Sequence, residues 1–110
     1  VSGNPIRDSA KGAPCLLRVP QVCRSRYDTT VHAHIRAAGA GGTSLKPNDL
    51  IACRACFECH EWLDERAGTG LWHDIRDTII LHGLIRTLDA LWREGLITLD
   101  MIKEALRRGR

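Results

Sequence analysis

The densest run of reactive side chains in the chain is Cys56-Phe57-Glu58-Cys59-His60. Cys53, Cys56 and Cys59 stand three residues apart, so either adjacent pair forms a Cys-x-x-Cys turn. Upstream, Cys15 and Cys23 close the stretch CLLRVPQVC. Five cysteines is an odd number and no secretory start is visible, so this spacing points to metal before disulfide. Cys15 and Cys23 together with Cys56 and Cys59 would offer four thiolates, which fill a tetrahedral zinc and leave no open position. Such a zinc is structural. By spacing alone Cys53 competes with Cys56 for the fourth place.

A second set of groups suits proton transfer and a hard cation. His60 and Asp64 are placed at i and i+4, the spacing at which one helix face offers two ligands to one ion. In TTVHAHI, alternation puts His32 and His34 on one strand face and Val31, Ala33 and Ile35 on the other. A neutral imidazole takes a proton near pH 7. His82 falls on an apolar helical stripe and reads as a hydrogen-bonded core histidine; His73 reads as surface.

The elements that must position these groups follow in order. Residues 1–14 mix Gly, Pro, Ser and Lys as a flexible arm does. Thr30 to Ile35 is a strand candidate. Arg36 to Asn48 is a Gly-rich loop that Pro47 keeps from being helical, and it lacks the trailing Gly-Lys-Ser/Thr of a phosphate-cradling loop. Leu50 to Ala52 reads as a brief second strand, and a helix follows from the Cys56 knuckle to Arg66. Leu71 to Glu94 reads as a long helix with Leu71, Ile75, Ile79, His82, Ile85, Leu88 and Trp92 on one stripe. Gly95 stops it, and Thr98 caps a last helix carrying Leu99, Ile102 and Leu106.

With 110 residues the chain is one domain with a modest core, the size at which a metal often helps. No apolar run approaches the ~20 residues of a membrane span, and the expected location is cytoplasmic. The net charge of +3 is mild, but only Lys11, Lys46 and Lys103 are lysines and the other basic residues are arginines, which suit phosphate contact. Aromatics make up 5%, too few for a stacking platform on single strands.

Taken in order, the motifs CLLRVPQVC, TTVHAHIRAAGAGGT, KPNDLIA and ACFECHEWLD resemble the HNH endonucleases, and among them the small phage and prophage nucleases of the YbcO type. The resemblance implies an α+β fold: a small ββα-metal, treble-clef core over residues 15–66 with a zinc knuckle, and C-terminal helices over 67–110 packed on it. It implies metal-dependent hydrolysis of DNA phosphodiester bonds in phage or prophage DNA processing. His34 would be the general base, oriented by Asp49 or Asn48, with Asp49 favoured by its place before Leu50. His60 and Asp64 would hold Mg2+ or Mn2+. Many members carry an acidic ligand just before the base, where this chain has Ala33; the metal would then rest on His60 and Asp64 with water and phosphate, or recruit His32. Arg36, Lys46 and Arg54 are the expected nucleic-acid contacts, and the wide stripe of the long helix either completes the core or meets a second subunit in a homodimer through the C-terminal helices. The alternative is a catalytically weak, zinc-stabilised module binding nucleic acid or protein.

Overall fold

The structure is a computed structural model that describes residues 4–35, 49–66 and 70–108. Its centre is an antiparallel hairpin of β1 (Val31–His34) and β2 (Ala52–Ala55). His34 lies opposite Ala52, Ala33 opposite Cys53, His32 opposite Arg54 and Val31 opposite Ala55. The second strand therefore starts where the sequence suggested it would end, because the pairing with β1 continues up to the Cys56 knuckle. Beyond the ladder, Ile35 N–H donates to Ile51 O at 2.9 Å.

Cross-strand partners share a face, so the hairpin has two unlike sides. Val31, Ala33, Cys53 and Ala55 form an apolar side; His32, His34, Ala52 and Arg54 form the other. The apolar side joins the main core, where Ala33, Cys53 and Ala55 pack with Leu17, Val19, Trp62, Ile79 and Ile80. Small residues on the strands let neighbouring elements approach closely.

Helix α2 (Phe57–Glu61) runs into a π-helical turn, Trp62–Arg66. Its first N–H, from Phe57, is capped by Thr29 Oγ1 at 3.0 Å. The N-cap residue Cys56 makes no side-chain cap bond, which leaves its thiol for other work. Trp62 is fully buried and donates its indole N–H to Leu71 O at 2.6 Å.

The segment from Cys15 to Ser25 is built of bends and turns, not strand. Arg18, Gln21 and Ser25 all take positive φ, at 50°, 65° and 54°. Left-handed backbone is costly for residues other than glycine. Here it is held by bonds from Leu16 and Leu17 N–H to Arg54 O and from Val22 and Cys23 N–H to Val19 O.

A 3-10 turn (His73–Ile75) leads into α3 (Arg76–Arg93). The buried residues of α3 are Ile79, Ile80, Gly83, Thr87, Ala90 and Leu91. This corrects the expected stripe: Leu71, Ile75, Ile85 and Trp92 are exposed, and so is His82. The buried face turns on Gly83, where an added Cβ would meet Leu17 Cδ1 at 2.9 Å and Cys53 Sγ at 3.0 Å. Only hydrogen fits there, so α3 lies close against β2.

Thr98 Oγ1 accepts from Met101 N–H at 3.2 Å at the start of α4 (Leu99–Arg108). A second core unites Ile6, Leu50, Leu91, Ile97 and Ala105. Ile6 belongs to α1 (Pro5–Asp8), a one-turn helix capped by Asn4 Oδ1. The described part of the expected arm thus contains one helical turn with a buried anchor. An open apolar groove of about 320 Å³ lies along α3 and α4, lined by Leu88, Trp92, Ile102 and Leu106 among others. No helix among the described residues is long and apolar enough to cross a membrane.

Candidate active site and cysteine cluster

The left-handed turns of the 15–25 segment and the N-terminus of α2 meet at four thiols. The Sγ atoms of Cys15, Cys23, Cys56 and Cys59 all lie within 4.8 Å of one another, and three of the four residues are buried. Four sulfurs at the Zn–S distance of about 2.3 Å would sit about 3.8 Å apart, which this grouping accommodates. An all-sulfur, closed, buried donor set suits zinc in a structural role. The thiols already share protons unevenly. The hydrogen bond with Cys59 pulls the Cys15 thiol from 9.0 down to about 4, and the same bond pushes Cys59 up. All five cysteines are free of disulfides. Cys53 stands apart from the four, facing the Ile80 carbonyl at 3.8 Å; burial, with the charge of Cys15, pushes it up to about 12.

On the polar side of the hairpin, His32, His34 and Asp49 bring one ligand atom each within 4.8 Å of the others. His34 Nε2 is 2.7 Å from Asp49 Oδ1. His32 Nε2 is 2.6 Å from the Asp49 backbone oxygen, and the two rings meet edge to face at 5.5 Å between centroids. Asp49 is held from a third direction by α1: Asn4 Nδ2 donates to Oδ2 at 3.0 Å and Arg7 Nε to Oδ1 at 3.1 Å. Burial opposes the charge on Asp49. The bonds from His34, Asn4 and Arg7, with the Arg7 charge, outweigh it and hold the carboxyl at about 2.

An ionised carboxylate only accepts hydrogen bonds. His34 therefore carries its proton on Nε2, and its lone pair is on Nδ1. The same reasoning at the Asp49 carbonyl places the His32 proton on Nε2. His32 Nδ1 is then a buried lone pair with no hydrogen-bond partner. Burial lowers the His32 pKa, with the neighbouring His34 adding to the effect, so the ring stays neutral near pH 7.

His60 and Asp64 form a separate pair, with Nε2 to Oδ2 at 3.1 Å across one turn and both side chains near two-fifths exposed. The structure brings His32 to His34 and Asp49 and does not group it with His60 and Asp64. Strand alternation is the reason. Ala33, not His32, occupies the side of β1 that packs with Trp62, and it is buried in that core without a ligand atom.

Arg54 is a correction to the expected nucleic-acid contacts. It is 2% exposed. Its guanidinium forks onto Glu94 at 2.9 and 2.7 Å and also donates to Ser9 Oγ at 2.9 Å. On the polar side of a covered hairpin an arginine must be paired inside the fold. Arg36, Lys46 and Asn48 lie outside the described residues. Asn4 and Arg7 were missed from sequence, which separates them from Asp49 by 45 and 42 residues. Asn4-Pro5 signals a helix start, but nothing in it points to Asp49.

A two-stranded hairpin and a helix opening at a four-cysteine cluster are consistent with a zinc-binding ββα-type motif. The family described as "Putative nuclease YbcO" matches residues 4–96. The chain belongs to that family, the YbcO branch of the HNH superfamily that its motifs resemble. It is 38% identical over 96 residues to "Putative nuclease YbcO" of Escherichia coli (strain K12), covering 84% of this chain and 95% of the relative. "Putative nuclease ybcO" of Enterobacteria phage 82 matches with the same identity and coverage. Among solved structures, "Structure of a putative bacteriophage protein from Escherichia coli str. K-12 substr. MG1655" superposes with a TM-score of 0.66 at 36% identity, covering 83% of this chain and 100% of the other.

Proposed function

We propose that the chain is a metal-dependent endonuclease acting on DNA, with His34 as general base. The observation that carries this reading is the 2.7 Å contact between His34 Nε2 and Asp49 Oδ1. It fixes the ring's orientation and tautomer and leaves Nδ1 to take a proton from water. Asp49 then steadies the imidazolium that forms, as a carboxylate does behind a catalytic histidine. Asn4 and Arg7 hold Asp49 from α1. Both relatives carry the name "Putative nuclease", which supports the same reaction class.

His60 and Asp64 are the residues that would hold one divalent cation, Mg2+ or Mn2+. Such an ion supplies charge stabilisation at the scissile phosphate and its leaving oxygen. Zinc in the four-cysteine cluster would tie the 15–25 segment to the start of α2. DNA processing in a phage or prophage setting is the biological context that the relatives suggest. Self-association through the apolar groove of α3 and α4 belongs to the same proposal, supported by the exposure of Trp92 and Leu106 at its rim.

A second reading, a zinc-stabilised binding module with weak catalysis, is favoured by Ala33. With only His60 and Asp64 as protein ligands the cation would be weakly held. Plasmid nicking with added Mg2+ or Mn2+ separates the readings. The nuclease reading expects nicking that a chelator abolishes and that the double variant His60→Ala/Asp64→Ala loses. DNA binding with no nicking at any cation concentration would favour the module.

A further inference from the structure

We propose that His32, His34 and Asp49 form a second metal site, one that takes a transition-type divalent cation such as zinc and switches off the His34 base when filled. The binding stands on its own geometry; the switching rests on the reading of His34 as the base. One ligand atom from each of the three residues lies within 4.8 Å of the others, as donors around a single ion must. The set is two neutral imidazoles and one carboxylate. Zinc, cobalt and nickel favour that combination, whereas magnesium favours oxygen and keeps its waters.

His32 is the most buried of the three. The residue is 9% exposed, and its Nδ1 lone pair is buried with no partner. Its other nitrogen is already held by the Asp49 carbonyl. An ion taken up beside Asp49 would replace the proton on the ring nitrogen of each histidine that faces it. Arg7 opposes a cation because its Nε lies 3.1 Å from Asp49 Oδ1. Its side chain is 48% exposed, however, and is free to turn into solvent.

The site differs from the cysteine cluster in donor type and from the His60/Asp64 pair in position. Inhibition follows from electron counting. A neutral imidazole has one lone pair in the ring plane, so His34 cannot both bind an ion and accept a proton from water.

The test uses protein whose cysteine cluster is loaded with zinc, titrated with Co2+ and followed by visible absorption. We expect a cobalt site that persists when the His60/Asp64 pair is removed, without the sulfur-to-cobalt charge-transfer band that entry into the cysteine cluster would give. His32→Gln and Asp49→Asn, checked for unchanged zinc content and circular dichroism, should weaken it at least about tenfold, and His60→Ala should leave it in place. Absence of cobalt binding in His60→Ala, or survival of that binding when His32→Gln or Asp49→Asn is added to His60→Ala, would overturn the site. Zinc added to Mg2+-supported nicking should inhibit at the concentration that displaces the cobalt. Uninhibited nicking with the site filled would overturn the switch. A wild type that does not nick fails the nuclease reading, while the cobalt titration still decides the site.

Discussion

His34 and Asp49 lie 15 residues apart in sequence and meet through a 2.7 Å contact between Nε2 and Oδ1. Asp49 is ionised and bound on its other sides by Asn4 and Arg7, so it is a fixed acceptor. Replacing it with Asn removes the charge that stabilises a protonated His34 and allows the amide to present N–H instead. We expect Asp49→Asn to lower kcat on the order of 10²-fold or more, with KM little changed. Single-turnover nicking measures this; unaltered kcat would remove Asp49 from the mechanism.

The cysteine cluster predicts about one zinc per chain, held against dialysis. Cys59→Ser should lose that zinc and with it most of the stability, because metal binding and folding are coupled in such sites. Cys53→Ser should keep the zinc, since Cys53 faces Ile80 and Gly83 rather than the cluster. Metal analysis alongside thermal unfolding checks both. Equal zinc loss in the two variants would contradict the assignment of Cys56 over Cys53.

Arg54 predicts a loss of stability without a loss of DNA affinity. Glu94 is 43% exposed in its side chain and can return to water when unpaired. The cost of Arg54→Ala is therefore mostly the lost charged hydrogen bonds, about 2–3 kcal/mol. Urea denaturation measures that cost. The slope of log affinity against log salt, which counts phosphate contacts, should not change; a slope shallower by one contact would return Arg54 to the nucleic-acid face.

His32 gives the stability a pH dependence of known sign. Its folded pKa lies below the 6.5 of the unfolded chain because burial disfavours the charged ring. The unfolded state therefore takes up the proton first as pH falls. The contribution is fully present above pH 6.5 and is lost progressively below it. Denaturation of protein carrying zinc only in its cysteine cluster, with no free metal, between pH 8 and pH 5.5 should show a steeper fall for wild type than for His32→Gln. Parallel curves would mean that His32 is not held neutral.

Much of the site could be read from the chain because it depends on local periodicity. Alternation along β1 put His32 and His34 on one side, and i,i+4 spacing paired His60 with Asp64. The Cys-x-x-Cys turn marked the start of α2, and Thr98 marked that of α4. What was hidden depends on contacts across long stretches of chain. Nothing near Arg54 announces Glu94, 40 residues away, so a buried arginine looked like a free one. The face of α3 that packs inward contains Gly83 and Thr87. A hydropathy stripe passes over both, because a glycine is chosen there for closeness and Thr87 Oγ1 for its bond from Arg54 N–H. The role of α1 was lost for the same reason: Asn4 and Arg7 matter only once the fold lays them against Asp49.

The central claim is that His34 is the base. Its most direct test is Mg2+-supported plasmid nicking by wild type and His34→Ala, prepared at matched zinc content and matched thermal stability. Wild type should nick robustly, and the variant should lose on the order of 10²–10⁴-fold. Equal nicking by the two proteins would contradict it.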